Sequence, residues 1–349
     1  MKQKDYLKLL NEINEGSDIS SSNEHDRVVL IDGLNLFFRN FAMMNIINQD
    51  GVHIGGLGGF IRSVGSLINQ IQPTAVYVVF DGVGSSTNRK NLLPEYKSGR
   101  HTSRITNWEV FEDLDDEHNS KIDQIVRLIH YLKCLPVRTV SIDKAEADDI
   151  IAFYSTHLVE KYNSKVVIVS SDKDFLQLVN NDVTVWRPIE KTYYTKQLIQ
   201  EKHGCLAENF ILYKVLMGDN SDKIPGIKGL GEKSLYKRFP ELQERVLTLD
   251  DIFNISVEKL KEHVIYARVV QDIKRLEMNY KLMNLSKPLI DDNDKDILSF
   301  ITEEPTPALN TEAFLRLYNE DGIGKMIRNI DFWIKDIFKV LNSFTQDKL

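Results

Sequence analysis

The sequence predicts an α/β fold: a twisted, mostly parallel sheet flanked by helices, followed by a smaller helical domain. Three observations carry that expectation. Short β-branched runs alternate with helical periodicities through the first 200 residues. Aspartates stand directly after several of those runs, at the edge where α/β sheets collect ligands. After about residue 195 the strand-like runs stop.

Taken in order, residues 3–14 read as a short amphipathic helix with Tyr6, Leu9, Leu10 and Ile13 on one side. "GSDISSSNEHD" (16–26) is a polar linker. "RVVLI" (27–31) is the first strand, and "AVYVVF" (75–80), "VRTVSI" (137–142), "KVVIVS" (165–170) and "VTVW" (183–186) are the next four. Helical spacing appears at 55–71, where Leu57, Phe60, Ile61, Val64, Leu67, Ile68 and Ile71 form a stripe, and again at 121–133 and 146–162. Beyond 195 come helices with turns, a Pro-containing linker at 303–309 and a final helix around 327–344. The expected divisions are 1–25 (helix and linker), 26–200 (α/β domain), 201–285 (helical domain) and 286–349 (helical extension).

With 349 residues, 42% of them hydrophobic, the chain can bury a large core. No apolar run approaches membrane-spanning length, and "MKQKDYLKLLNEINEGSD" is too charged for a signal peptide. Cys134 and Cys205 have no metal-ligand spacing. A monomer in the reducing cytoplasm, without a membrane partner, is the expectation. The formal charge of −7 argues against nucleic acid only if the acids are spread evenly. Setting nine clustered acids aside from the 51 leaves 42 against 44 bases, so local charge decides.

Asp32 follows the first strand, Asp81 the second, and Asp172 and Asp174 the fourth, while Glu146, Asp148 and Asp149 open the helix after the third. One such acid is commonly a helix cap. Seven along one edge repel one another unless cations compensate. An all-oxygen donor set without His or Cys suits magnesium or manganese. Two such ions about 4 Å apart are the usual device for phosphodiester hydrolysis. Glu146 and Asp148 lie about 200° apart on a regular helix, so both reach one site only if Glu146 precedes the first turn.

"NRKNLLPEYKSGRHTSR" (88–104) follows Asp81 and carries Arg89, Lys90, Lys97, Arg100 and Arg104 with Tyr96. Cations beside a stackable ring suit a single-stranded nucleic-acid end. The acidic block Glu109 to Glu117 reads as a solvated face. In "GDNSDKIPGIKGLGEKS" (218–234), Asp219 and Asp222 precede a glycine turn. An EF-hand reading fails on spacing. Helix, glycine hairpin and helix fit better: Gly226, Gly229 and Gly231 let backbone approach a phosphate, and Lys228, Lys233, Lys237 and Arg238 add countercharge.

With these motifs in place, the sequence resembles the flap endonuclease and 5′-nuclease family over roughly residues 26–285. "LIDGLN", "VFDG", "LPEYKSGR", "EADD", "SSDKDF" and "GDNSDKIPGIKGLGEKS" occur in that family's order. "ITNWEVFEDLDDEHNSKID" and "VTVWRPIEK" look most similar to the T-even phage ribonuclease H branch, which removes RNA primers. The resemblance implies a PIN-like 5′-nuclease fold with a helix–hairpin–helix domain. It implies two magnesium ions, with manganese substituting: Asp32, Asp81, Glu146 and Asp148 match the first metal group, and Asp172, Asp174 and Asp219 the second. Asp149 and Asp222 match acids with outer-sphere or weaker roles. Lys97 and Arg100 match residues steering the scissile phosphate, and Tyr96 a ring near the 5′ end. The hairpin glycines match a duplex anchor that often holds potassium. Implied substrates are flaps, nicks and RNA–DNA hybrids; implied partners are a sliding clamp and a single-strand-binding protein.

Two other readings exist. A catalytically silent DNA-binding factor predicts missing ligands, and every matched acid is present. A PIN-type ribonuclease shares the strand-end aspartates but lacks the basic segment and the glycine hairpin.

Overall fold

Valine and isoleucine dominate the strands because branched side chains pack well on a sheet covered on both faces. The structure, a computed structural model, describes residues 23–99 and 104–345. The α/β part runs β1 (Arg27–Asp32), α1 (Gly33–Met43), α2 (Gly55–Ile71), β2 (Ala75–Val79), α3 (Thr87–Leu92), α4 (Leu114–Leu132), β3 (Arg138–Val140), α5 (Ala147–Tyr162), β4 (Lys165–Val169), β5 (Val183–Arg187) and β6 (Thr192–Tyr194). Then follow α6 (Lys196–His203), α7 (Phe210–Met217), β7 (Gly218–Asp219), β8 (Ile224–Pro225), α8 (Glu232–Arg238), α9 (Glu241–Glu244), α10 (Leu249–Glu258), α11 (Val264–Gln271) and α12 (Ile273–Met283). The chain closes with α13 (Asp292–Glu303), α14 (Thr311–Glu320), α15 (Ile330–Ile337) and α16 (Lys339–Asn342). Among the described residues no helix is long and apolar enough to cross a membrane.

The sheet order is β3-β2-β1-β4-β5-β6, parallel except for β6, which pairs antiparallel with β5. The five expected strands are present; β6, α1, α3 and the two-residue strands β7 and β8 beyond residue 195 depart from expectation. Strand alternation sends Val28 and Leu30 to one face and Val29 and Ile31 to the other. The first face packs on α5 and the helices from α6 to α13, the second on α1, α2 and α4.

The stretch after residue 311 departs from a simple extension. Phe314, Tyr318, Ile334 and Phe338 join the apolar cluster of the sheet's second face. A side chain at Gly58 or Gly65 of α2 would overlap Met326 or Trp333, so small residues in α2 seat this segment. Tyr131 of α4 donates to Asp321 Oδ2 at 2.7 Å, and Arg127 Nε to the same oxygen at 2.8 Å. In the acidic block Glu109, Glu112, Asp113, Asp115 and Asp116 are exposed as expected, and Glu117 is the exception. Glu117 is buried, not solvated: its carboxylate accepts from the backbone N–H groups of Thr106 and Asn107 and pairs with Lys121. The expected helix at 3–14 lies outside the described residues.

Candidate active site

β1 ends on Asp32, which caps α1: its Oδ1 accepts from Asn35 N at 3.1 Å. Its other oxygen accepts from Ser170 Oγ at the end of β4, at 3.0 Å. That hydroxyl in turn accepts from Asp172 N at 3.0 Å, and Asp172 Oδ1 accepts from Asp174 N at 2.8 Å. Adjacent strand ends are thus tied by short polar links. Asp81, after β2, accepts from Ala147 N at the start of α5 at 2.7 Å.

Glu146 is the N-cap of α5 in extended conformation (φ −77°, ψ 148°). It therefore precedes the first regular turn, as its joint use with Asp148 requires. Its Oε2 accepts from Arg89 Nη1 (3.1 Å), Tyr96 Oη (3.1 Å) and Lys97 Nζ (3.0 Å), while the buried Oε1 has no hydrogen-bond partner. Asp149 turns elsewhere. It grips Arg89 through two contacts of 2.5 and 3.0 Å and accepts from Leu289 N at 2.9 Å.

The burial of Arg89 and Tyr96 departs from expectation. Arg89 is only 4% exposed and ion-paired to Asp149, so it locks α3 to α5 and is not a surface contact for nucleic acid. Both oxygens of Asp149 are engaged by that lock. Tyr96 is 3% exposed, so its ring is packed beneath Lys97 and not offered for stacking. Lys97 itself adopts a left-handed φ of 54°, a costly conformation for a side-chain-bearing residue, and donates its N–H to Asp222 O at 3.2 Å. Asp222 is buried, with its N–H donating to Asp219 Oδ1 at 3.3 Å. Lys90 and Arg104 are exposed, and Arg100 lies outside the described residues.

Lys214, on α7, lies 2.5 Å from Asp174 Oδ1 and 2.6 Å from Asp219 Oδ2. Asp219 also accepts from Ser221 N and Oγ, at 2.8 and 2.6 Å. Burial, with the charges of Asp172 and Asp81, pushes Asp32 up to about 7. Burial and the charges of Asp172 and Asp32 hold Asp148 well above the usual carboxylate range. Burial and Asp172 lift Asp174 to about 6 despite Lys214. Burial opposes ionisation of Asp219 too, yet Lys214 and Ser221 hold it at about 2. The acids therefore feel one another as a single cluster of mutually repelling charge.

Downstream, β7 and β8 pair antiparallel and lead into the glycine turn. Ile227 and Leu230 are buried and anchor that turn, whereas Lys228, Gly229, Gly231 and Lys233 are exposed. Gly226 is required sterically, since a Cβ would overlap the Met217 carbonyl. Gly229 has φ +78°. A Cβ at Gly231 would meet nothing within 4 Å, so that glycine keeps space open above the turn.

The model of the 5′-3′ exonuclease N-terminal resolvase-like domain matches residues 27–204. The chain belongs to the 5′-3′ exonuclease family. A 5′-3′ exonuclease of Buchnera aphidicola is 28% identical over 280 residues, covering 79% of this chain and 92% of that protein. DNA polymerase I of Bacillus subtilis is 32% identical over 244 residues, 68% of this chain but 26% of the polymerase. The chain thus spans about a quarter of the polymerase's length. The phage T5 5′-exonuclease with bound zinc ions shares the fold at TM-score 0.60 and 20% identity, covering 90% of this chain and 99% of that one. A phage T5 flap endonuclease in a pseudo-enzyme–product complex with DNA and metal ions gives TM-score 0.60 at 21% identity, with the same coverage.

As a 5′-3′ exonuclease, this chain hydrolyses phosphodiesters, and its acid cluster fits divalent cations on two observations. The donors are all oxygens, and Glu146 Oε1 is buried without a partner. Among the described residues no three acids already converge into a metal cage. Sequence reasoning missed Lys214, Ser170 and Asn35. A single cation inside the apolar run "FILYKVLM" was the available signal for Lys214.

Proposed function

We propose that this chain is a magnesium-dependent 5′ nuclease that cleaves near the 5′ ends of flaps, nicks and RNA–DNA hybrids, including lagging-strand RNA primers. The observation that carries the reading is the cluster of Asp32, Asp81, Glu146, Asp148, Asp172, Asp174 and Asp219, drawn from several strand ends and coupled through shared charge. Divalent ions bound there supply charge stabilisation at the phosphate and make water a competent nucleophile, with manganese a substitute for magnesium.

The chain's own residues do the rest. Asp32, Asp81, Glu146 and Asp148 hold one ion, and Asp172, Asp174 and Asp219 the other. Lys97, whose ammonium sits on Glu146, swings to the scissile phosphate and offsets its charge, with Arg100 beside it. The attacking water gives up a proton to solvent as its oxygen bonds to phosphorus, the bond from phosphorus to the 3′ oxygen breaks, and that oxygen takes a proton from solvent. Asp222 supports Lys97 through its carbonyl. Lys214 keeps Asp174 and Asp219 together. Lys90 and Arg104 draw in the 5′ strand, and Lys228, Lys233 and the open space at Gly231 meet duplex phosphates. A sliding clamp and a single-strand-binding protein are the partners proposed for recruitment.

The test is cleavage of a 5′-labelled DNA flap beside an RNA-primed duplex, with and without magnesium, against single-stranded RNA. Magnesium-dependent cutting near the 5′ end of the branched substrate is expected. Preference for unstructured RNA would replace this reading with that of a PIN-type ribonuclease.

A further inference from the structure

The family resemblance brings an expectation of potassium at the glycine hairpin, held by backbone carbonyls. Of the seven carbonyls from Pro225 to Gly231, those of Pro225, Gly226, Ile227, Lys228 and Gly231 already accept hydrogen bonds. Asn279 Nδ2 donates to Pro225 O at 2.9 Å, Arg275 Nη2 to Gly226 O at 3.2 Å, and Arg268 Nη1 to Lys228 O at 2.6 Å. Between them, Ile227 O accepts from Leu230 N at 3.0 Å, and beyond the turn Gly231 O accepts from Leu235 N at 2.8 Å. Three of these donors come from the consecutive helices α11 and α12, and two are guanidinium groups. Two guanidinium charges bound to these carbonyls repel a further monovalent ion, which is a poor fit to a carbonyl cage for potassium.

We propose that Arg268 and Arg275 are the built-in cations of the hairpin, so that duplex binding by this chain needs no potassium. The inference rests on the reading of the hairpin as a duplex grip. A cation behind a turn has two tasks: to neutralise carbonyl oxygens that face one way and to hold the backbone so that its other side can meet phosphate. A guanidinium does both, because it is always charged and its donors are fixed in a plane. Arg275 is itself held in place by Asp272 Oδ2 at 2.6 Å.

The local sequence agrees. A Cβ at Gly229 would lie 2.8 Å from Arg268 Nη1, so the glycine that supplies the positive φ also makes room for the guanidinium. The exposed Lys228 and Lys233 are left for phosphate, and the arginines for the turn. Arg268 and Arg275 are thus positioning residues, which touch the hairpin and not the substrate.

The experiment measures duplex affinity by fluorescence anisotropy, in EDTA to block cleavage. Potassium chloride is compared with tetramethylammonium chloride at equal ionic strength. The wild-type chain should bind with less than about a twofold difference between the salts, after the shared ionic-strength effect is held constant. The pair Arg268→Ala/Arg275→Ala should bind about tenfold more weakly in tetramethylammonium and recover part of that loss in potassium, and Arg268→Lys should retain most of the affinity. A wild-type affinity that falls about tenfold without potassium overturns the inference, whatever the variants do. A variant defect that potassium does not repair also overturns it, because the arginines would then be structural only. Absence of duplex binding in both salts contradicts the duplex grip itself and is distinguishable from either result.

Discussion

Lys214 Nζ stands 2.6 Å from Asp219 Oδ2 and 2.5 Å from Asp174 Oδ1, and so holds the two carboxylates together. A buried ammonium between two acids keeps them close without closing them into a cage. Lys214→Ala should lower the cleavage rate by about 10- to 100-fold, a loss typical of removing a group that orients metal-binding side chains. It should also lower the melting temperature more in EDTA than in magnesium, because the added cation replaces part of the missing charge. Single-turnover kinetics and paired melts check both statements.

The Arg89–Asp149 lock makes the opposite kind of claim. Both side chains are about 2% to 5% exposed, so removing one partner leaves a buried charge unpaired. Arg89→Ala should destabilise the fold by about 3–5 kcal/mol, measured by urea unfolding. Any folded fraction should keep its duplex affinity. A variant of normal stability with weakened duplex binding would restore Arg89 to the nucleic-acid surface.

The acid cluster also sets a pH dependence. A carboxyl whose folded pKa is raised stabilises the fold below its unfolded value and loses that contribution as pH rises through the folded value. Asp32, raised from 3.8 to about 7, and Asp174, raised to about 6, place this loss between about pH 4 and pH 7. The metal-free chain should therefore melt at lower temperature as pH rises through this window. Magnesium should raise the melting temperature more at the alkaline end. Thermal melts in EDTA and in magnesium across the window test the sign.

Gly65 has a structural role that is separable from chemistry. Gly65→Val should push Trp333 from its seat on α2 and cost about 1–3 kcal/mol by overpacking. A red shift in tryptophan emission should accompany the loss, while the metal response of the remaining folded chain stays unchanged.

Much of the fold was legible because five β-branched runs and the stripe of α2 follow simple periodicities. β6 is three residues long, too short for a period to register. α1 starts with Gly33 and Asn35, poor helix formers that the Asp32 cap offsets. Strand-end positions exposed the acids, since connectivity alone brings such residues to one edge. Spacing within "EADD" shows which acids share a face, but not that Asp149 faces Arg89. Likewise a run of basic residues reads as surface until packing reveals which member is enclosed. Lys214 could not be paired from sequence, because its meeting with Asp174 depends on how α7 packs against the sheet.

The most direct test of the central claim is Asp174→Asn, assayed on a 5′-labelled flap with magnesium and, separately, for duplex binding. The substitution keeps the side chain's size while removing its charge beside Asp172 and Asp219. Cleavage should fall to background with duplex affinity unchanged within about twofold, since binding rests on the hairpin and basic residues. Substantial magnesium-dependent cleavage by this variant would contradict the placement of catalysis in the strand-end acid cluster.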